Sequence, residues 1–158
     1  MKKIIVIYFL LVLSVIVQVT VGSRSPWAPD IILLMVVFEG IFRSGAEAII
    51  FAFIAGFIRG SLSFGTIQVD VFIFPIIGAI GFLEGRIFYR HNPIAQALIT
   101  AIAISVVMAA HMFCLKNMGG DSAGMFTVSV YDWKTLLGTV ISAPVFFFLL
   151  SKLLQMEE

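Results

Sequence analysis

Apolar residues run from Ile4 to Val21, interrupted only by Tyr8, Ser14, Gln18 and Thr20 and by no charge. A stretch near twenty residues long of this kind suffices to cross the hydrocarbon of a bilayer as a helix. The pattern recurs, and it predicts six membrane-spanning helices at about residues 4–21, 27–42, 45–58, 69–83, 94–115 and 132–154. Polar positions gather in the breaks. The second segment is entered through Ser25-Pro26-Trp27-Ala28-Pro29-Asp30, and only Arg43-Ser44-Gly45 separates it from the third. A single helix from Trp27 to Gly60 would be roughly 50 Å long against a hydrocarbon core of ~30 Å. The chain is therefore expected to break at that triplet, leaving two short helices in a thinned bilayer or with their ends buried among neighbours. The expected fold class is an all-α membrane protein, a six-transmembrane-helix bundle forming one polytopic domain over residues 1–158.

Composition narrows the setting. Apolar residues are 61% of the chain and charged residues 12%, with a mean hydropathy of +1.12, which excludes an ordinary water-soluble globule and a disordered chain. A net charge of +1 offers no broad basic surface for nucleic acid. The lone Cys114 excludes an internal disulfide and a cysteine-rich metal site. Lys2-Lys3, an apolar run and Gly22-Ser23 resemble a secretory signal, but the run exceeds a typical signal core and further spans follow. It is expected to stay as the first helix.

An even number of spans places both termini on one side, and Lys2 and Lys3 assign that side to the cytoplasm by the positive-inside rule. The inner side then holds Lys2, Lys3, Arg43, Arg86, Arg90 and Lys152, and the outer side Arg24, Arg59, Lys116 and Lys134. The longest outer loop runs from Lys116 to Tyr131 and contains Gly119, Gly120, Asp121 and Gly124. Trp27, Tyr131 and Trp133 fall near span ends, where aromatic rings favour the interface.

Lipid tails are as apolar as leucine, so helices associate in a bilayer through close approach at small residues. Ala48, Ala52, Gly56 and Gly60 form one such stripe on the third segment, and Ala97, Ala101, Ser105 and Ala109 another on the fifth. Shorter runs occur at Gly78, Gly81 and Gly85 and at Gly138 and Ser142. Each stripe suits internal packing or a docking face for another membrane protein.

Charges at membrane depth are costly unless paired, buried or near a span end. Glu39, Arg43 and Glu47 recur every four residues, the spacing of a helical face. A structural clamp on the hairpin between segments two and three explains them better than a proton relay, because arginine does not release its proton. Glu84 and Arg86 suit a similar role at the next inner turn. Asp30, after Pro29, suits a helix N-cap. His111 and Cys114 lie three apart, but two ligands do not close a zinc site. His91, beside Asn92-Pro93, suits a solvated loop, and Gln18 an interhelical hydrogen bond. The sequence carries no phosphate-binding glycine loop, nucleophile elbow or metalloprotease motif. No catalysis and no cofactor is expected. A membrane enzyme using Asp70, Asp121 or Glu84 would lack a partnered constellation.

From Pro29-Asp30-Ile31-Ile32-Leu33-Leu34 onward the chain resembles MreD, the rod-shape-determining membrane protein family of bacteria. The likeness covers most of the chain. It includes the lysine-led first helix, the short second helix ending in a small basic turn, the Gly-x-x-x-Gly of Gly56 to Gly60, and Gly65. The resemblance implies a fold akin to the substrate-binding subunits of energy-coupling-factor vitamin transporters. It also implies a multi-pass inner-membrane, non-catalytic component of the cell-elongation machinery. Such a component binds an MreC-like bitopic protein and acts indirectly with MreB, RodA and a class B penicillin-binding transpeptidase in lateral-wall peptidoglycan synthesis. One departure is visible. The family often carries an acid just after the glycine-rich third helix, whereas here Arg59-Gly60-Ser61-Leu62-Ser63 has none before Asp70. The competing reading is a vitamin-binding transporter subunit of the same general fold. Such a subunit docks through small residues on its first helix, but here the first segment has no alanine and its sole glycine, Gly22, lies at its end.

Overall fold

The computed structural model describes residues 2–22, 25–62, 67–87, 92–117 and 133–154. They form six helices: α1 (Lys2–Gly22), α2 (Ile31–Phe42), α3 (Gly45–Leu62), α4 (Ile67–Ile87), α5 (Pro93–Asn117) and α6 (Trp133–Leu154). Four of them contain stretches long and apolar enough to cross a membrane, Gly45–Leu62, Ile67–Arg86, Pro93–Cys114 and Trp133–Leu154, while Ile5–Val21 and Ile31–Phe42 are shorter apolar helices. Gly65, His91, Gly119, Gly120, Asp121, Gly124 and Tyr131, all singled out above, lie outside the described residues.

Helix α2 is shorter than its apolar run. Ala28 donates its N–H to the Ser25 carbonyl in a turn, and the Asp30 side chain accepts the N–H of Leu33 at 3.0 Å. The residue before a proline avoids helical geometry, and a capping carboxylate fixes the first turn. The helix therefore starts at Ile31 rather than Trp27. At its other end Arg43 is extended, with its N–H on the Glu39 carbonyl at 3.0 Å. Helix α3 begins two residues later, so the break falls on the Arg-Ser-Gly triplet. Helix α3 continues to Leu62, past the expected end at Ile58, and α4 runs to Ile87, carrying Glu84 and Arg86 inside its last turns. A charge limits how far a hydrophobic span extends, but arginine and glutamate are good helix formers, so it does not end the helix.

Every residue of α2 from Ile32 to Ile41 is buried. A helix apolar on all sides belongs at the centre of a bundle, and α2 touches α1, α3, α4, α5 and α6. Phe38 of α2 and Phe51, Phe74 and Phe147 of the helices around it are fully buried. The outward faces carry Phe9, Phe72, Ile94, Phe113, Ile141 and many other exposed large apolar side chains. A surface this rich in contiguous apolar side chains is a lipid-facing one.

Helices α3 and α4 make the most extensive contact in the bundle. Their approach is set by Gly56, where a Cβ would lie 2.5 Å from the backbone oxygen of Asp70 and 3.0 Å from Phe74 Cβ. Gly40 of α2 packs on Gly78 and Gly81 of α4 in the same manner. A backbone oxygen cannot move aside as a side-chain tip can, so Gly56→Ala must push α3 from α4. The expected cost is about 1–3 kcal/mol, read as a lower melting temperature in detergent. Ala109→Leu, on an exposed position of α5, leaves the melting temperature near that of the unsubstituted protein.

Candidate functional site

Two buried ionic groups sit at the two ends of α2. At its N-terminal end Asp30, Arg59 and Asp70 are each no more than 6% exposed, and His111 is 9% exposed. Arg59 Nη2 lies 2.9 Å from Asp30 Oδ2, Arg59 Nη1 3.9 Å from Asp70 Oδ1, and His111 Nε2 3.2 Å from the same Asp70 oxygen. The guanidinium also stands over the Phe74 ring, 5.2 Å from its centroid. Four helix elements meet here: the start of α2, the last turns of α3, the first turn of α4 and the far end of α5.

The remaining two helices join through the backbone. Gln18 of α1 accepts the N–H of Ile31 at 3.0 Å, and Thr139 Oγ1 of α6 accepts the N–H of Asp30 at 2.9 Å. Thr139 passes its own hydroxyl proton to the Thr135 carbonyl, and Thr135 donates to the Pro26 carbonyl. The N–H groups of Asp30, Ile31 and Leu33 at the start of α2 are thus satisfied inside the protein, as a solvent without hydrogen-bonding groups demands.

His111 is held from both sides: Nδ1 lies 2.9 Å from the Val107 carbonyl of its own helix, and Nε2 faces the Asp70 carboxyl at 3.2 Å. The arrangement is a knot of mutually facing polar groups rather than an isolated buried ion.

At the C-terminal end of α2, Arg43 Nε lies 3.4 Å from Glu39 Oε2 and Arg43 Nη1 3.5 Å from Glu47 Oε2. The sequence spacing brought these three together correctly, with Glu39 buried and Glu47 at the surface. Arg59 does not lie in a loop, as the charge tally placed it. It is inside the bundle, and Arg43 is largely buried too.

The two small-residue stripes have different surroundings. Ala48, Ala52, Gly56 and Gly60 are buried. Gly78 of α4 lies against Ala48 and Ala52, and Ile67 lies against Gly60, so α4 covers this face. On α5, Ala97 and Ala101 are half-buried and Ser105 and Ala109 exposed. Pro29 is half-buried beside the knot and Asp30 is part of it. Asp30 does more than cap, since the other carboxylate oxygen holds Arg59. His111 faces Asp70 rather than forming a metal pair with Cys114. Among the described residues no group of three or more His, Cys, Asp or Glu side chains is placed to hold a metal. Sequence reasoning named Arg59 only as an outer-side charge and Asp70 only in the enzyme reading, and it missed their pairing. A signal existed: each lies three residues from the end of its helix, on opposite sides of one hairpin.

Removing Arg59 alone would strand two buried carboxyl groups. Arg59→Ala is therefore expected to destabilise the protein by about 3–5 kcal/mol, seen as a large drop in melting temperature. Neutralising the knot together, as Asp30→Asn, Arg59→Met and Asp70→Asn, should restore part of the loss, because no charge is then left alone. A drop for Arg59→Ala no greater than for the exposed Lys152→Ala would contradict the burial of this charge.

No curated protein and no solved structure matches the chain. The family model described as rod shape-determining protein MreD matches residues 2–157, essentially the full chain. With all six helices inside the matched range, the chain is a member of the MreD family of rod-shape-determining membrane proteins.

Proposed function

We propose that this protein is a non-catalytic component of the bacterial cell-elongation machinery that binds an MreC-like bitopic partner within the inner membrane. In this reading all six helices form one polytopic domain, α2 seated at membrane depth, with both termini in the cytoplasm and the Arg59 knot toward the outer side. The fold would be akin to the substrate-binding subunits of energy-coupling-factor transporters. Through its partner the protein would act with MreB, RodA and a class B penicillin-binding transpeptidase to organise lateral-wall peptidoglycan synthesis.

The observation that carries the reading is the family match over residues 2–157. The α5 stripe supports the partner's position. A partner with a single span needs a lipid-facing surface where its backbone can come close, and small residues supply it. The α3 stripe is occupied by α4, whereas Ser105 and Ala109 are exposed. Ser105 also satisfies its hydroxyl on its own helix, on the Ala101 carbonyl at 2.7 Å, so a helix can cover it without stranding a polar group. The arginine-centred knot needs no turnover to explain it, since its guanidinium keeps its proton.

The test is the double variant Ser105→Leu with Ala109→Leu. The expected result is at least a tenfold loss of co-purified MreC-like partner, which corresponds to about 1.4 kcal/mol, at an unchanged melting temperature, together with rounding of rod-shaped cells. Partner recovery at the unsubstituted level would remove α5 as the docking face. Normal rod shape after depletion of the protein would remove the elongation role itself.

A further inference from the structure

A cavity of about 120 Å³ lies between α1, α2 and α3, beside the C-terminal end of α2. It is lined by Ile7, Tyr8, Ile50 and Phe51 and by the ionic trio Glu39, Arg43 and Glu47. Glu39 is 3% exposed, yet its Oε1 has no hydrogen-bond partner among the described residues, and neither has Arg43 Nη2. The other Glu39 oxygen and Arg43 Nη1 are taken up in the ion pairs of the trio. A buried donor or acceptor left unmade costs more than an ordinary hydrogen bond returns. What this cavity lacks is therefore specific: a donor for Glu39 and an acceptor for Arg43.

One zwitterion supplies both. The unpartnered Glu39 oxygen calls for an N–H donor, and the exposed Glu47 carboxyl beside it favours a cationic one. The free Arg43 nitrogen suits an adjacent phosphate oxygen. A water needs only about 10–15 Å³ of such space, so the cavity is large enough for a short ammonium-bearing head. The mouth residues Ile50 and Glu47 are 57% and 52% exposed. An exposed isoleucine beside an exposed glutamate places the opening at the border between acyl chains and headgroups. We propose that this cavity binds the headgroup of a phospholipid carrying a primary ammonium, of the phosphatidylethanolamine kind. The ammonium sits on Glu39 and the phosphate on Arg43, and the chains lie outside along the bundle. A choline head has no N–H to give Glu39, and a glycerol head has no cation. The site depends on the membrane setting but not on the partner or on α5.

The experiment is native mass spectrometry of the full chain in detergent, incubated with dioleoyl phosphatidylethanolamine, phosphatidylcholine or phosphatidylglycerol. Retention of the ethanolamine lipid at least tenfold above the other two is expected. Glu39→Gln, which keeps the shape and removes the charge, should lower that retention roughly tenfold. Ile50→Trp, which fills the mouth without touching a charge, should do the same, and it decides the matter if Glu39→Gln lowers the melting temperature. Equal retention of the three lipids overturns the proposal, as does unchanged retention in a folded Glu39→Gln or in Ile50→Trp. Thermal stabilisation by soluble phosphoethanolamine equal to that by the lipid would overturn the lipid assignment in favour of a free headgroup compound.

Discussion

A guanidinium held between two carboxyl groups inside an apolar bundle is the contact on which the rest of this architecture depends. In lipid, burying leucine does not bring helices together, so the specific arrangement must come from close backbone packing and from polar groups that have nowhere else to go. Arg59 provides the second of these. It reaches Asp30 at the start of α2 and Asp70 at the start of α4, and Asp70 in turn meets His111 of α5. Through Asp30 and Ile31 the same point engages Thr139 of α6 and Gln18 of α1. One location thus fixes the relative positions of six helices. A buried ionic network is weak evidence for net stability, but a broken one is severe, which makes it a device for choosing one packing over others.

The glycines make that device possible. Gly56 stands one turn before Arg59 and lets the Asp70 backbone lie directly against α3. With a side chain there, Asp70 would be held away from the guanidinium. Gly40, Gly78 and Gly81 bring α2 and α4 equally close. The short α2 then spaces the two ionic groups. From Asp30 to Arg43 the helix rises only about 20 Å, so both groups stay within reach of a membrane's depth, while the apolar run from Ile32 to Phe38 between them is buried.

Much of this was legible in the chain, and the exceptions have physical reasons. The apolar runs located all six helices, because hydrophobic length is what lipid selects. The break at Arg43-Ser44-Gly45 followed from length alone, and the Glu39-Arg43-Glu47 grouping from helical spacing. Helix ends were misplaced where a charge was taken as a stop: Arg59 lies inside α3, since its charge is cancelled by partners distant in sequence. The role of Asp30 was half visible. Its capping bond is local, with Leu33, while its ion pair spans 29 residues and leaves no periodic trace. The α3–α4 pair of Arg59 and Asp70 was recoverable from their equal distance to the hairpin turn, a relation that hydropathy does not express. The cavity beside Glu39 was not recoverable, because it is a gap between three helices and no single segment encodes it.

The two small-residue stripes teach the same lesson. Ala48-Ala52-Gly56-Gly60 and Ala97-Ala101-Ser105-Ala109 are equivalent as patterns, and only packing distinguishes the covered face from the open one. The most direct measurement of the central claim is a solid-state NMR distance in bilayers between the Arg59 guanidinium nitrogens and the Asp30 carboxyl carbon. The structure requires a close contact of about 4 Å, with the guanidinium protected from water exchange. No measurable coupling, together with a freely exchanging Arg59 reaching the membrane surface, would contradict the account.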